Sequence, residues 1–215
     1  MSRPEEKALR VTLFGAFSLV IIFAAFLYIR QPGREQKQEQ QAQDASLIAQ
    51  VQTTSPATGN ANATIVMAEF SDFQCPYCKL VAPLLDRAAS EYGDKIRRVW
   101  IFTTNPDHPQ SESAAVAAYC AHKQGQFWQY RTELFEAQDN LGPATYNQVA
   151  DAVDLDLSLF RACLSDSASV AVVRAHSQFA QRAGVTATPY VTINSLVLDS
   201  AFTWEQLKAA IDQNL

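Results

Sequence analysis

Phe70-Ser71-Asp72-Phe73-Gln74-Cys75-Pro76-Tyr77-Cys78-Lys79 decides the fold of this 215-residue chain. It follows a β-branched, apolar run, Thr64–Phe70, that suits a buried strand. Behind it, Leu80, Val81, Leu84, Leu85, Ala88, Ala89 and Tyr92 recur at helical spacing, with Pro83 inside the stripe predicting a kink. A strand feeding a helix here places Cys75 at the N-cap and Cys78 one turn in. Pro76 falls at the first helical position, where a missing N–H costs nothing. Unsatisfied N–H groups and the positive end of the helix dipole then surround the Cys75 sulfur and favour thiolate over thiol. The two cysteines can close a small-ring disulfide, with Cys75 the more exposed sulfur. That arrangement points to thiol–disulfide exchange. Half a zinc site completed by Cys120 and His122, or an inert structural pair, are the other readings. No second CxxC or HxxxH follows, and the strand–CxxC–helix context favours exchange.

Outward from the motif, Ile96–Phe102 reads as a second strand. Ser111–Gln124, Phe127–Ala137, Thr145–Ala152, Leu157–Leu164 and Ser167–Ala183 read as helices. Tyr190–Ile193 and Leu196–Leu198 form a strand pair across Asn194-Ser195, and Trp204–Asn214 closes the chain as an amphipathic helix. The order predicts an α/β fold with a helical insertion over about 111–183. There are too few strands for a barrel and too many helices between the second and third strands for a plain sandwich.

Composition excludes several chemistries. The seven glycines are widely scattered, so the paired glycines of phosphate loops, dinucleotide fingerprints and nucleophile elbows are missing. Of the net charge of −5, residues 1–62 contribute +1 and the remainder −6. An acidic domain without a basic stripe repels phosphate backbones, which excludes nucleic acid as an expected partner. Val11–Ile29 carries no charge and spans roughly 30 Å as a helix, the thickness of the hydrocarbon core. Residues 11–29 are therefore expected to anchor the chain in a membrane, after a short segment 1–10. A cleaved signal peptide is the competing reading, but no small-x-small cleavage site follows. Basic residues flank both ends, so charge alone does not orient the span. Residues 30–62 are rich in glutamine and poor in aliphatic side chains. They are expected to form a flexible linker, with at most a transient helix over 34–51, and a random-coil span of roughly 30 Å. The globular domain is expected over 63–215.

Three segments, FSDFQCPYCK, AAYCAHKQGQFWQYRTELFE and GVTATPYVTIN, occur in the order found in the DsbA-type thiol:disulfide oxidoreductases, which this sequence resembles over about residues 64–215. The resemblance implies a thioredoxin fold with a helical insertion and no bound cofactor or metal. It implies that Cys75 is the nucleophile that forms a mixed disulfide with substrate, and that Cys78 resolves it. Thr188-Pro189 matches the family's cis-proline loop, so Pro76, Tyr77, Thr188 and Pro189 are expected to meet the substrate. On the residues alone, Pro189 equally suits a strand edge. The resemblance also makes Glu69 a buried acid relaying protons to the buried cysteine, its pKa raised by burial. Its position at a strand end equally allows a glutamate facing water. Lys79 is expected to be solvated, and His108 and His122 to be structural. Asn194-Ser195 departs from the Asn-Gly that many relatives carry and suggests a different hairpin turn.

Relatives sometimes carry a second cysteine pair in the insertion, and by that likeness Cys120 and Cys163 are expected to form a structural disulfide. Independent buried thiols are the alternative. Closing so long a loop contributes on the order of 4 kcal/mol and persists only in an oxidising compartment. That orients the chain: N-terminus cytoplasmic, catalytic domain on the periplasmic or lumenal side. The expected function is introduction of disulfide bonds into secreted or envelope proteins with free thiols. Reoxidation would fall to a DsbB-like or vitamin K epoxide reductase-like membrane partner. The CPYC dipeptide also occurs in glutaredoxins and isomerases, so a reductase or isomerase using the same pair is the alternative. A metal-binding module is a third reading, disfavoured by two methionines and no histidine cluster.

Overall fold

In the computed structural model, which describes residues 36–198 and 202–215, two buried strands run parallel at the centre of a five-stranded sheet. They are β2 (Ile65–Ser71) and β3 (Ile96–Phe102), paired from Ile65↔Ile96 to Ser71↔Phe102. The sheet order is β1-β3-β2-β4-β5, and every pairing other than β2–β3 is antiparallel. β1 is Ala57–Gly59, β4 Tyr190–Ile193 and β5 Leu196–Leu198. Helix α2 (Pro76–Tyr92) links the parallel strands and runs through Pro83. Five helices fill the connection from β3 to β4: α3 (Ser111–Lys123), α4 (Phe127–Glu136), α5 (Pro143–Ala152), α6 (Leu157–Leu164) and α7 (Ser167–Arg182). Helix α8 (Trp204–Asp212) follows, opened by a capping box between Thr203 and Gln206. The architecture is a mixed α/β thioredoxin-like fold with a helical insertion.

Strand alternation explains the layering. Ile65 and Met67 pack with Val81, Leu85 and Ala88 of α2 and Leu207 and Ile211 of α8. Further along, Trp100 and Phe102 enter the larger core made with the insertion, among Phe73, Phe127, Leu134 and Phe135. On the opposite face Phe70 and Ile101 pack against Ala180 and Val185. Each buried Val, Leu, Ile, Met or Phe side chain among these contributes about 1.5–3 kcal/mol relative to exposure.

The stretch expected to be a linker is structured in part. Residues 36–54 are helical (α1), and residues 48–215 form one compact unit, so the domain begins well before Ala63. Glutamine, alanine, glutamate and lysine are good helix formers even where apolar residues are few, and Val51 is buried in the Phe70–Ile101 cluster. β1, short and of weak strand propensity, is held by its ladder to β3. Gly59 is required there: its φ is +87°, and a Cβ would lie 2.2 Å from the Ile96 carbonyl oxygen. The expected anchor at 11–29, like 1–10, lies outside the described residues. Among the described residues no helix is long and apolar enough to cross a membrane.

The β4–β5 turn differs from an Asn-Gly hairpin because only Asn194, at φ +54°, takes a left-handed conformation. Its side chain instead bonds to β2, accepting from the Val66 N–H at 2.8 Å.

Cys120 of α3 and Cys163 of α6 are joined by a disulfide with an S–S distance of 2.07 Å, 43 residues apart in sequence. Chain-entropy arguments assign such a closure about 4 kcal/mol. A Cys120→Ala/Cys163→Ala variant is therefore expected to lose about that much stability. Urea denaturation of the variant beside the parent measures it, and an unchanged midpoint would mean the loop is already restrained without the bond.

Candidate active site

The Asp72–Cys75 turn joins β2 to α2. The Cys75 N–H donates to the Asp72 carbonyl at 3.1 Å, and Cys75 is the N-cap of α2 in extended conformation, with Pro76 in the first turn. The Cys75 carbonyl accepts from the N–H groups of Cys78 at 3.1 Å and Lys79 at 3.3 Å. Its side chain thus stands over the open N-terminus of a 17-residue helix, and both cysteines are free thiols. Cys78 is wholly enclosed, and Cys75 is only 4% exposed. Tyr77 and Leu80, on the same first turns of α2, are both largely exposed. The remote loop closes the site: the Thr188–Pro189 peptide is cis, and the Cys75 thiol donates to the Thr188 carbonyl at 3.3 Å.

These surroundings separate the two thiols electrostatically. A hydrogen bond from the Cys78 thiol is the largest influence on Cys75 and stabilises its thiolate; burial works against it. The Thr188 hydroxyl and the Cys78 and Tyr77 amides add to the stabilisation, and the pKa falls to about 6. Cys78 moves the other way. Burial raises its pKa well above the ordinary value, and its hydrogen bond and repulsion with Cys75 raise it further. The Asp72 amide, donating to Cys78 Sγ at 3.4 Å, opposes the shift. One sulfur is set up as a nucleophile and good leaving group, the other as a proton-holding thiol.

A pH dependence follows. In the reduced protein, iodoacetamide labelling of Cys75 should rise with half-maximum near pH 6, while Cys78 stays unlabelled at pH 8; mass spectrometry of tryptic peptides checks this. The lowered pKa also stabilises the reduced fold. That contribution is complete above the unfolded-state value of about 8.5 and is lost as pH falls through about 6.

Glu69 is buried, as expected for an internal acid, but its setting is not an apolar pocket. Arg98 Nη2 donates to its Oε2 at 2.7 Å, and Arg131 Nη2 lies 3.6 Å from Oε1. Both guanidiniums also pair with Asp86 of α2, Arg131 at 3.1 Å. Arg98 lies over the Trp128 ring at 4.6 Å. The quartet has no net charge and ties β2, β3, α2 and α4 together. Lys79 turns to the end of α4, with Nζ 3.4 Å from the Glu136 carbonyl. His122 lies between the Tyr119 and Phe127 rings, its pKa lowered by burial. The zinc reading loses a ligand, because the Cys120 sulfur is bonded to Cys163.

Sequence reasoning missed Asp72, Gln138 and the part His108 plays. Gln138 Nε2 donates to the carbonyls of Phe73 at 2.7 Å and Cys75 at 3.0 Å, tying down the active-site turn. His108 Nδ1 sits 2.6 Å from Asp72 Oδ2. Asp72 carried one signal, an acid three residues before the first cysteine; Gln138 carried none.

Residues 51–213 match the family model described as Thioredoxin. The chain is 32% identical over 154 residues to Na(+)/H(+) antiporter NhaA 3 of Salinispora tropica, a match covering 71% of this chain and 24% of that protein. It spans about a quarter of the length of the curated relatives it matches, and the transport those names describe is not carried over. Among solved structures, BdbD from Bacillus subtilis superposes with a TM-score of 0.67 at 22% identity, over 75% of this chain and 93% of that one. The thiol-disulfide exchange protein alpha-DsbA2 from Wolbachia pipientis gives 0.68 at 16%, over 80% and 97%. The catalytic domain of Proteus mirabilis ScsC gives 0.66 at 22%, over 75% and 89%. With the family match covering most of its length, the chain belongs to the thioredoxin family and has the fold of the DsbA-type thiol-disulfide oxidoreductases.

Proposed function

We propose that this protein is a membrane-anchored thiol–disulfide oxidase acting outside the cytoplasm through Cys75 and Cys78. The observation that carries the reading is the stabilised thiolate of Cys75, with its pKa near 6, beside a Cys78 held as thiol. A reduced form stabilised in this way makes the corresponding disulfide more oxidising than one between ordinary thiols, which supports the oxidase direction. A substrate thiol loses its proton to solvent and attacks Cys75 Sγ. The Cys75–Cys78 bond breaks, and Cys78 leaves and takes up a proton. A second substrate thiolate then attacks the substrate sulfur of the mixed disulfide and expels Cys75 as thiolate. The substrate is oxidised by two electrons and the protein reduced by two. Tyr77, Pro76, Thr188 and Pro189 form the surface the substrate meets.

The uncharged stretch 11–29 supports the anchor, and the Cys120–Cys163 bond supports an oxidising compartment. Turnover requires a reoxidant, and a DsbB-like or vitamin K epoxide reductase-like membrane protein suits an anchored enzyme. Equilibration of Cys75–Cys78 with glutathione tests the direction. An oxidase should lie near the oxidising end of the thioredoxin-fold range, about −120 to −180 mV. A potential near the roughly −270 mV of thioredoxin would overturn the oxidase reading in favour of a reductase.

A further inference from the structure

Side chains alternate along a strand, so every second residue of β2 and β3 points away from α2 and α8. Register sets Val66 beside Arg97, Ala68 beside Val99 and Phe70 beside Ile101, and all six line one cavity of about 550 Å³. Val51 of α1 and Phe179 of α7 line it too. The cavity is graded along the strands. Phe70 and Ile101 are buried, at 6% and 4% exposure, whereas Val66 at the other end is 39% exposed. Arg97 stands beside Val66 at this open end, and the rise of a strand puts Ile101 roughly 13 Å further in.

Arg97 is the one charged residue on the lining among the described residues, and no Asp or Glu joins it there. Its guanidinium makes no hydrogen bond or ion pair with any described residue. Ser55 also lines the cavity, and its hydroxyl is buried with no hydrogen-bond partner among the described residues. An apolar cavity of this size with a small number of polar groups is the form of a small-molecule site. Its unmatched guanidinium selects an anion, and a carboxylate suits the planar fork of donors. The occupant is therefore an amphiphile with an anionic head. A polypeptide fits less well. The ladders to β1, β3 and β4 take up the backbone groups of β2 and β3 on both sides, so this face offers side chains only. A peptide laid on it would leave its own N–H and C=O groups unmet, whereas a hydrocarbon chain has none to satisfy.

We propose that this cavity binds a carboxylate of the fatty-acid class, with its chain directed toward Phe70 and Ile101 and its head at Arg97. Neither Cys75 nor Cys78 lines the cavity, and the inference does not rest on thiol–disulfide exchange.

The test uses the full chain in phosphatidylcholine nanodiscs and dodecanoate carrying a diazirine at its far end, which inserts into neighbouring bonds on illumination. Peptide mass spectrometry should place the adducts on the strands 65–71 and 96–102 or on Phe179, and unlabelled dodecanoate should displace them. Arg97→Gln should raise the dodecanoate concentration needed for half displacement about tenfold, as expected for losing a hydrogen bond to a charged group. Displacement by dodecanol, which has a similar chain and no charge, should change less than about twofold between the parent and Arg97→Gln. Ala68→Trp, which fills the cavity, should abolish the adducts, and Val66→Trp at the open end stands in if that variant fails to fold. Adducts found only outside the cavity, or only within 11–29, overturn the proposal. An Arg97→Gln variant that responds to dodecanoate as the parent does also overturns it, since the face would then be merely apolar. Displacement by an unfolded polypeptide but not by dodecanoate would do the same and mark a peptide groove instead.

Discussion

Replacing Cys75 by serine is expected to abolish disulfide transfer, lowering the rate by on the order of 10³-fold or more, while the fold is retained. Serine is nearly isosteric, and Cys75 makes no side-chain cap bond to α2 whose loss would unravel the helix. What disappears is the only sulfur with a stabilised thiolate. Cys78→Ser gives a different outcome that separates the two roles. Cys75 still attacks a disulfide-bonded partner, but no resolving thiol remains beneath it, so mixed disulfides accumulate and turnover stops. Capture of covalent adducts on Cys78→Ser, and their absence on Cys75→Ser, is read on non-reducing gels. Adducts on both variants would mean that Cys78 is reachable, against its complete enclosure.

The largest stability effect is expected at the buried ion quartet. Arg98→Met leaves Glu69 fully enclosed with only the longer, 3.6 Å contact to Arg131. Removing one partner of a buried pair costs about 3–5 kcal/mol, because the remaining charge is not rehydrated. Asp86 is 46% exposed and can turn to water, so the penalty falls on Glu69. Adding Glu69→Gln to Arg98→Met should recover part of the loss, since it removes the stranded charge. Urea denaturation of the two single variants, the double and the parent gives the coupling. The same variants separate the two roles of Glu69. A structural Glu69 predicts that Glu69→Gln lowers stability while exchange per folded molecule is unchanged. A proton relay predicts slower exchange, most visibly at low pH, in a fold of ordinary stability.

The contrast between Cys75 and Arg98 shows what could be read from the chain alone. The strand, the CxxC and the helix are contiguous, so N-cap placement and thiolate stabilisation follow from local geometry. The strand bounds around Ile96–Phe102 and the five-helix insertion were legible because apolar periodicity there is strong. Glu69 and Arg98 were less legible because charged residues read as solvent-facing. Yet Arg98 alternates with Ile96, Trp100 and Phe102, the buried row of β3, and that register was the available signal. β1 and the pairing of Asp72 with His108 depend on residues about 40 positions away in sequence, and no local pattern encodes such contacts.

The most direct measurement of the central claim is intact-mass analysis after mixing the oxidised protein with a reduced, unfolded, cysteine-containing protein. The account predicts that this chain gains two hydrogens at Cys75 and Cys78 while the substrate loses two and Cys120–Cys163 stays bonded. Substrate oxidation that leaves Cys75–Cys78 intact, or that opens Cys120–Cys163 instead, would contradict it.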